Sequence, residues 1–347
     1  MNPTTPHRHD LDDHLMNGQL SSTRGDSEPP LRLGTRRSAL AMAQSGMVAR
    51  EVTRVTGRPV ELVEITTYGD TSREALAQIG GTGVFVSALR DALLEGRIDL
   101  AVHSLKDLPT AAPAGLLLAA VPEREDVRDA LVAAEGLALG ELVEKVAGAG
   151  RTTRVGTGSP RRMAQLNAWA AARGAALETV AIRGNVDTRI GYVAAGELDA
   201  VVLAAAGLNR LGRHAEISEH LDPELMLPAP GQGALAVECV DAGLAAQLAA
   251  LDHRPTRAAV VAERALLAAL EAGCSAPVAA LATWRGTELR LEGVVGTVDG
   301  ATLLRTTAAG PIVPDGTAEE QAAALGRALA ARLLEQGAAG LMGERAL

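Results

Sequence analysis

Apolar residues recur along this chain in two alternating rhythms. Leu31 to Thr35 reads as a short strand, and from Ser38 to Val55 the residues Leu40, Met47, Val48, Val52 and Val55 share one face at helical spacing. A second strand is predicted over Val60 to Thr66, a short helix over Val86 to Leu94 and a strand over Ile98 to Val102. Strands that alternate with helices in this way predict a parallel sheet in an α/β unit. After Pro122 and the charged run Glu123-Arg124-Glu125-Asp126 the rhythm starts again. Thr153 to Thr157 reads as a strand, Ser159 as a helix N-cap, Pro160 as the first helical residue and Gly174 as the residue just past the end. Strands follow over Glu178 to Ile182 and Asp199 to Leu203. The repeat is one of pattern rather than of sequence identity, and it predicts two α/β lobes facing a shared cleft.

Leu227-Pro228-Ala229-Pro230-Gly231-Gln232-Gly233 interrupts the rhythm as a stiff crossing between the lobes. A strand over Ala234 to Val240 encloses Cys239, which is expected to be buried and inert. A helix follows, with Thr256 as its N-cap, Val260, Leu267 and Leu270 on one face, and Gly273 as its stop. Beyond Pro277, apolar runs at 278–283, 289–295 and 302–306 and an Ala-rich helix from Thr317 to Gln336 predict a small α+β domain. The expected division is a disordered tail over 1–30, a first lobe from 31–121 and 229–250, a second lobe over 125–226 and a third domain over 254–347.

Composition narrows the function classes. Aromatic residues are 1% of the 347, so base stacking has little to work with, and a net charge of −9 argues against a polyanion-binding exterior. No nucleic-acid or membrane partner is expected, because no apolar run reaches spanning length. Two cysteines are too few for a disulfide framework and fit a reducing cytosol. The first 30 residues lack an apolar signal core and are too acidic for a transit peptide, which points to a cytoplasmic location. His7, His9 and His14 sit in that tail without a packed scaffold, and no metal site is expected.

All but two of the 33 cationic residues are arginine, and several cluster where strands end. Thr35-Arg36-Arg37-Ser38 opens the first helix, either as an anion site or with Ser38 only capping the helix and both arginines in solvent. Arg161 and Arg162 occupy the first turn of a later helix, where cations oppose the helix dipole at a cost of up to ~1 kcal/mol; an anion is expected to compensate. Arg183-Gly184-Asn185-Val186-Asp187-Thr188-Arg189 and Gly207-Leu208-Asn209-Arg210 follow other strands. The flexible Gly80-Gly81-Thr82-Gly83 turn suits a ligand cradle or a lid, but lacks the Lys-Ser/Thr ending of a nucleotide loop. His103-Ser104-Leu105-Lys106-Asp107-Leu108-Pro109 closes a strand at the end where α/β sheets bind ligands, with Asp107 a candidate acid; a surface Lys-Asp pair is the plainer alternative. Cys274, on a Gly-bounded loop, is either a presented nucleophile or a small buried hydrophobe.

Taken together, Thr35-Arg36-Arg37-Ser38, the 101–109 segment, Gly156-Thr157-Gly158-Ser159-Pro160-Arg161-Arg162, Arg183-Gly184-Asn185-Val186, the 227–233 crossing and Ala272-Gly273-Cys274 resemble, in order, the porphobilinogen deaminase (hydroxymethylbilane synthase) family. The resemblance implies two lobes like those of periplasmic binding proteins plus a third domain, and a monomer. It implies a cytoplasmic transferase of tetrapyrrole biosynthesis that joins four porphobilinogen molecules head to tail, releases ammonia each time and liberates hydroxymethylbilane by hydrolysis. A dipyrromethane cofactor held by a thioether would fall on Cys274, and the catalytic carboxylate on Asp107. Arg36, Ser38, Lys106, Ser159, Arg161, Arg162, Arg183, Arg189 and Arg210 would bind carboxylates of cofactor or substrate. Thr157 is placed with this group, and both it and Gln232 would shape the cleft.

The chain departs from the family pattern at Thr82 and Ser87, where lysines are common, and at Ala272, where glycine is common. Asp187 adds a carboxylate able to pair with Arg183 or Arg189. Two rival classes remain: a non-catalytic, two-lobed carboxylate-binding protein, and a cysteine hydrolase that uses His103 as base.

Overall fold

The computed structural model describes residues 28–66, 84–111, 113–272, 276–313 and 316–342. The histidine-bearing tail, the Gly80-Gly81-Thr82-Gly83 turn and the Gly273-Cys274 pair lie outside the described residues.

The first lobe begins with β1 (Leu31–Thr35), α1 (Ala39–Thr56) and β2 (Val60–Glu64). Then come α2 (Val84–Leu94), β3 (Leu100–Ser104) and β4 (Leu117–Ala120). β1 pairs in parallel with both β2 and β3. The other half of this sheet is antiparallel, which corrects the expectation of an all-parallel one. The order is β2-β1-β3-β10-β4, where β10 (Leu235–Cys239) runs against both β3 and β4. The reason is connectivity: the chain leaves this lobe after β4 and re-enters it only as β10, travelling the opposite way.

The second lobe holds β5 (Asp129–Ala133), α3 (Leu139–Gly148), β6 (Thr153–Thr157), α4 (Pro160–Arg173) and β7 (Leu177–Ala181). It continues through α5 (Val186–Ala194), β8 (Ala200–Ala204), α6 (Ala205–Arg210) and the short β9 (Glu219–His220). Its order, β7-β6-β8-β5-β9, repeats that of the first lobe strand for strand, with β5 as the antiparallel member.

The match extends to individual contacts. In one lobe the Arg32 N–H donates to Asp99 Oδ2 at 2.7 Å and Ile98 covers Gly34. In the other the Arg154 N–H donates to Asp199 Oδ2 at 2.8 Å and Leu198 covers Gly156. The same carboxylate-to-backbone clasp thus locks β1 to β3 in one lobe and β6 to β8 in the other.

After α7 (Ala242–Leu248), α8 (Arg254–Ala269) opens the third domain. A meander of β11 (Val278–Arg285), β12 (Glu288–Gly296) and β13 (Leu303–Pro311) follows, then α9 (Ala318–Glu335). Leu266, Leu289, Leu291, Leu329 and Leu333 are fully buried between the sheet and the two helices. Thr256 is not the N-cap of α8. The helix starts earlier, at Arg254 with Pro255 in its first turn and His253 at the cap, and the Thr256 hydroxyl lies 2.8 Å from His253 Nδ1 and accepts from the Arg124 N–H at 3.2 Å. The helix terminates at Leu270.

α8 also ties the two interlobe crossings together. Glu263, fully buried, accepts from Arg124 Nη1 and Nη2 at 2.7 and 3.0 Å, from the Gly231 N–H at 2.7 Å and from the Ala282 N–H at 2.9 Å. Arg124 lies on the outward crossing and Gly231 on the return, so one carboxylate satisfies donors from both strands of the hinge. Among the described residues no helix is long and apolar enough to cross a membrane.

Candidate active site

Chain folding gathers Arg161 and Arg162 of the second lobe, and Lys106 of the first, near Asp129 at the start of β5. This carboxylate is fully buried. Oδ2 accepts from Arg161 Nη1 at 2.7 Å, and Oδ1 accepts from Arg162 Nε at 3.0 Å, Arg162 Nη2 at 2.7 Å and Gln232 Nε2 at 2.9 Å. Burial alone would push its pKa up, but the charges of Arg161 and Arg162 prevail and hold it well below the ordinary carboxylate range. Asp129 is therefore an anion that compensates two cations in the first turn of α4, and sequence reading missed it. A lone Asp at the head of the Ala-rich run Asp129–Ala133 gives no local sign that it faces a helix N-terminus more than thirty residues away.

Two guanidinium groups against one carboxylate leave one unit of positive charge. Arg161 also donates to the Leu227 carbonyl at 2.7 Å and Arg162 to the Val202 carbonyl at 2.9 Å, so both side chains are fixed in place. Arg189, at the mouth of the same lobe, donates from Nε to the Gly184 carbonyl at 2.9 Å and extends past Gly158. Burial lowers its ionisation, and the neighbouring Arg162 and Arg183 lower it further. Among the described residues no carboxylate pairs with it. Asp187 pairs with Arg213.

Lys106 and Asp107 come from the other lobe, on the 3-10 turn Leu105–Asp107 that closes β3. Lys106 Nζ donates to Gln232 Oε1 at 3.4 Å, and Gln232 passes the contact on to Asp129. Burial pushes the Lys106 ammonium down to about 8, opposed by Asp107 and Asp129 and assisted by Arg162 and Arg161. The Asp107 side chain is exposed, and among the described residues nothing hydrogen-bonds its carboxylate.

The remaining candidates divide by what already occupies them. Ser38 accepts from the Ala41 N–H at 3.3 Å and so caps α1, while the neighbouring Arg37 pairs with Glu64 at 3.5 Å and Arg36 is half-buried at the end of β1. Leu40 of α1 lies against Gly207 of α6, which brings this end of the first lobe up to the second. Arg210 donates to the Gly233 carbonyl at 2.6 Å and retains a buried Nε without a partner, as does Arg161. Thr157 is fully buried and accepts from the Ser159 N–H at 3.2 Å, shaping the turn on which Ser159 sits. Arg183 is exposed just after β7.

His103, the base a cysteine hydrolase would need, is buried on β3 with Nε2 3.2 Å from Glu238, whose other partner is Arg90 at 2.7 Å. It is built into the sheet, paired with Ala236 of β10. Cys239 is buried as expected, and burial, with Asp241 and Glu238, pushes its thiol up to about 11. Cys274 lies outside the described residues. Among those described, no group of His, Cys, Asp and Glu is arranged to hold a metal.

Fold and site together define a two-lobed α/β protein with arginines gathered where strands of the second lobe end and a third domain gripping both crossings. The chain belongs to the porphobilinogen deaminase family. Residues 31–247 match the family model described as "Porphobilinogen deaminase, dipyromethane cofactor binding domain", and residues 257–335 match "Porphobilinogen deaminase, C-terminal domain". The chain is 68% identical to Porphobilinogen deaminase 1 of Streptomyces avermitilis over 326 residues, covering 92% of this chain and 99% of that protein. It is 55% identical to Porphobilinogen deaminase of Thermobifida fusca, covering 90% and 95% respectively. Among solved structures, the methionine binding protein MetQ is similar with a TM-score of 0.37 at 12% identity, over 68% of this chain and 93% of that one.

Proposed function

We infer that this chain joins four porphobilinogen molecules head to tail into hydroxymethylbilane, releasing one ammonia per addition, on a dipyrromethane group carried by Cys274. The observation that carries the reading is the cation set gathered at Asp129: Arg161 and Arg162 on its carboxylate, Lys106 reaching it through Gln232, and Arg189 beside Arg162 with no carboxylate partner among the described residues. Each pyrrole unit carries an acetate and a propionate, so the growing chain is a polyanion that calls for such a set.

The residues present fit the dipyrromethane group. Arg161 and Arg210 each keep a buried Nε in need of an acceptor, and the Arg161–Arg162–Asp129 trio holds an uncompensated positive charge. When bound, that group supplies the pyrrole carbon to which the first substrate unit is joined. Arg161, Arg162, Arg183, Arg189 and Ser159 from one lobe, Arg36, Ser38 and Lys106 from the other, and Arg210 at the crossing bind its carboxylates and those of the substrate. Asp107 hydrogen-bonds the leaving amine, holds a proton on its nitrogen, and faces the positive charge that develops on the substrate methylene as the carbon–nitrogen bond breaks. A fixed carboxylate opposite developing positive charge lowers the barrier electrostatically.

The reading includes a cytoplasmic location, supported by cysteine usage that fits a reducing compartment. It also includes a monomer, supported by a cleft whose two walls and third domain all come from one chain. Intact mass tests it: the purified protein should exceed its sequence mass by one dipyrromethane adduct, absent in Cys274→Ser. An unmodified but fully active protein would sink the assignment. Asp107→Asn should keep the adduct and lose most turnover.

A further inference from the structure

Asp107 has an exposed carboxylate that no described residue hydrogen-bonds, so its position is set by the backbone turn that carries it. That turn is held from the third domain. Arg264 of α8 donates from Nη1 to the Leu108 carbonyl at 2.9 Å and the Leu105 carbonyl at 3.4 Å, and from Nη2 to the Pro109 carbonyl at 2.6 Å. One guanidinium thus spans three carbonyls bracketing Lys106 and Asp107. Its neighbour Glu263 secures the other side of the turn, by holding the Gly231 N–H where Gly231 packs on Leu105 and the Lys106 backbone. The Leu105 N–H completes the clamp by donating to the Ala234 carbonyl at 3.0 Å.

We propose that Arg264 is a positioning residue: from the helix that leads into the Cys274 loop, it fixes the turn bearing Asp107 and so registers the carboxylate against the site of condensation. The proposal rests on the reading of Asp107 as the catalytic carboxylate. Its physical basis is the rigid fork of a guanidinium, which meets several acceptors at once, whereas a lysine ammonium on a flexible stem cannot span them. Loss of the fork frees the turn without removing any group that touches substrate.

The test is a double-mutant cycle of Arg264→Gln with Asp107→Asn. It follows the rate of the first condensation as the mass gain of one pyrrole unit on the enzyme, together with steady-state kcat and KM. A misplacement of the order of 1 Å costs up to ~100-fold in rate, so Arg264→Gln should lower kcat by about that factor. KM should stay within about threefold, the pattern of a lost transition-state interaction. The dipyrromethane adduct should remain in the intact mass. In the Asp107→Asn background the same substitution should change the rate by less than about twofold, because the two act as one unit.

An unchanged kcat in Arg264→Gln, or an equal loss in both backgrounds, overturns the proposal and leaves the role of Asp107 standing. Near-normal turnover of Asp107→Asn alone overturns the catalytic reading and this inference with it. Should Arg264→Gln fail to fold, Arg264→Lys keeps the charge without the fork. It is expected to lose about tenfold in kcat, and wild-type kcat in that variant likewise overturns the proposal.

Discussion

Asp129 and Arg162 meet through two hydrogen bonds, Nε at 3.0 Å and Nη2 at 2.7 Å from the same carboxylate oxygen, with both side chains buried. The pair lets a helix begin with two arginines. Removing one partner of a buried ion pair costs about 3–5 kcal/mol, because the other charge is left without compensation. Asp129→Asn is therefore expected to lower the unfolding free energy by an amount of that order, read as a lower urea midpoint at unchanged slope. Since its carboxyl ionises below the ordinary range, the contribution is in full force above that range and is lost only in stronger acid. An unchanged midpoint would show that the trio adds nothing to stability.

Lys106 gives a pH prediction. With its ammonium pushed down to about 8, it is charged at neutral pH and loses its proton as the pH rises through that value. A neutral amine attracts a carboxylate far less, so kcat/KM for porphobilinogen should fall above pH about 8. Lys106→Arg holds its charge across the range, and its profile should lack that alkaline limb. An identical limb in both proteins would assign it to another group.

Arg189 is half-buried beside two other cations, an arrangement that opposes folding of the free protein and favours an anionic ligand. Arg189→Gln is expected to raise the melting temperature of the free protein while raising KM by about 10-fold or more, the worth of a hydrogen bond to a charged group. A lower melting temperature with unaltered KM would contradict this account.

Gly300 sits in the β12–β13 connection at φ +73°, and a Cβ there would stand 2.3 Å from the Ala168 nitrogen and 2.8 Å from the Ala164 carbonyl oxygen of α4. Gly300→Ala must lift the third domain from the helix that carries Arg161 and Arg162. The expected loss is about 1–3 kcal/mol, read as a lower thermal midpoint. Wild-type stability would mean that the contact is dispensable.

Much of the fold was legible in one dimension, because strand and helix periodicity are local. Leu31–Thr35, Thr153–Thr157 and α4 with its Pro160 start and Gly174 end lie where apolar spacing and capping residues put them. β5 and α7 were not read, since Ala-rich runs such as Asp129–Ala133 carry neither period clearly, whereas α3 went unread although Leu139, Leu142, Val143 and Val146 stand at helical spacing. The parallel-sheet expectation failed at β10 and β5, where direction depends on which crossing supplies the strand.

The sequence by itself determined the two-lobed plan, the third domain, the family and the positions where arginines end strands. These depend on spacing along the chain, which residue order records. Only the tertiary structure decided what meets those arginines: Asp129 between Arg161 and Arg162, Gln232 between Asp129 and Lys106, and Arg264 under the Asp107 turn. Each joins residues 30 or more positions apart, Gln232 to Asp129 across 103 and Arg264 to Leu108 across 156. Such contacts form because burying a charge or a carbonyl requires a partner. Which partner arrives is set by how the lobes and the third domain pack, and local sequence carries no trace of that.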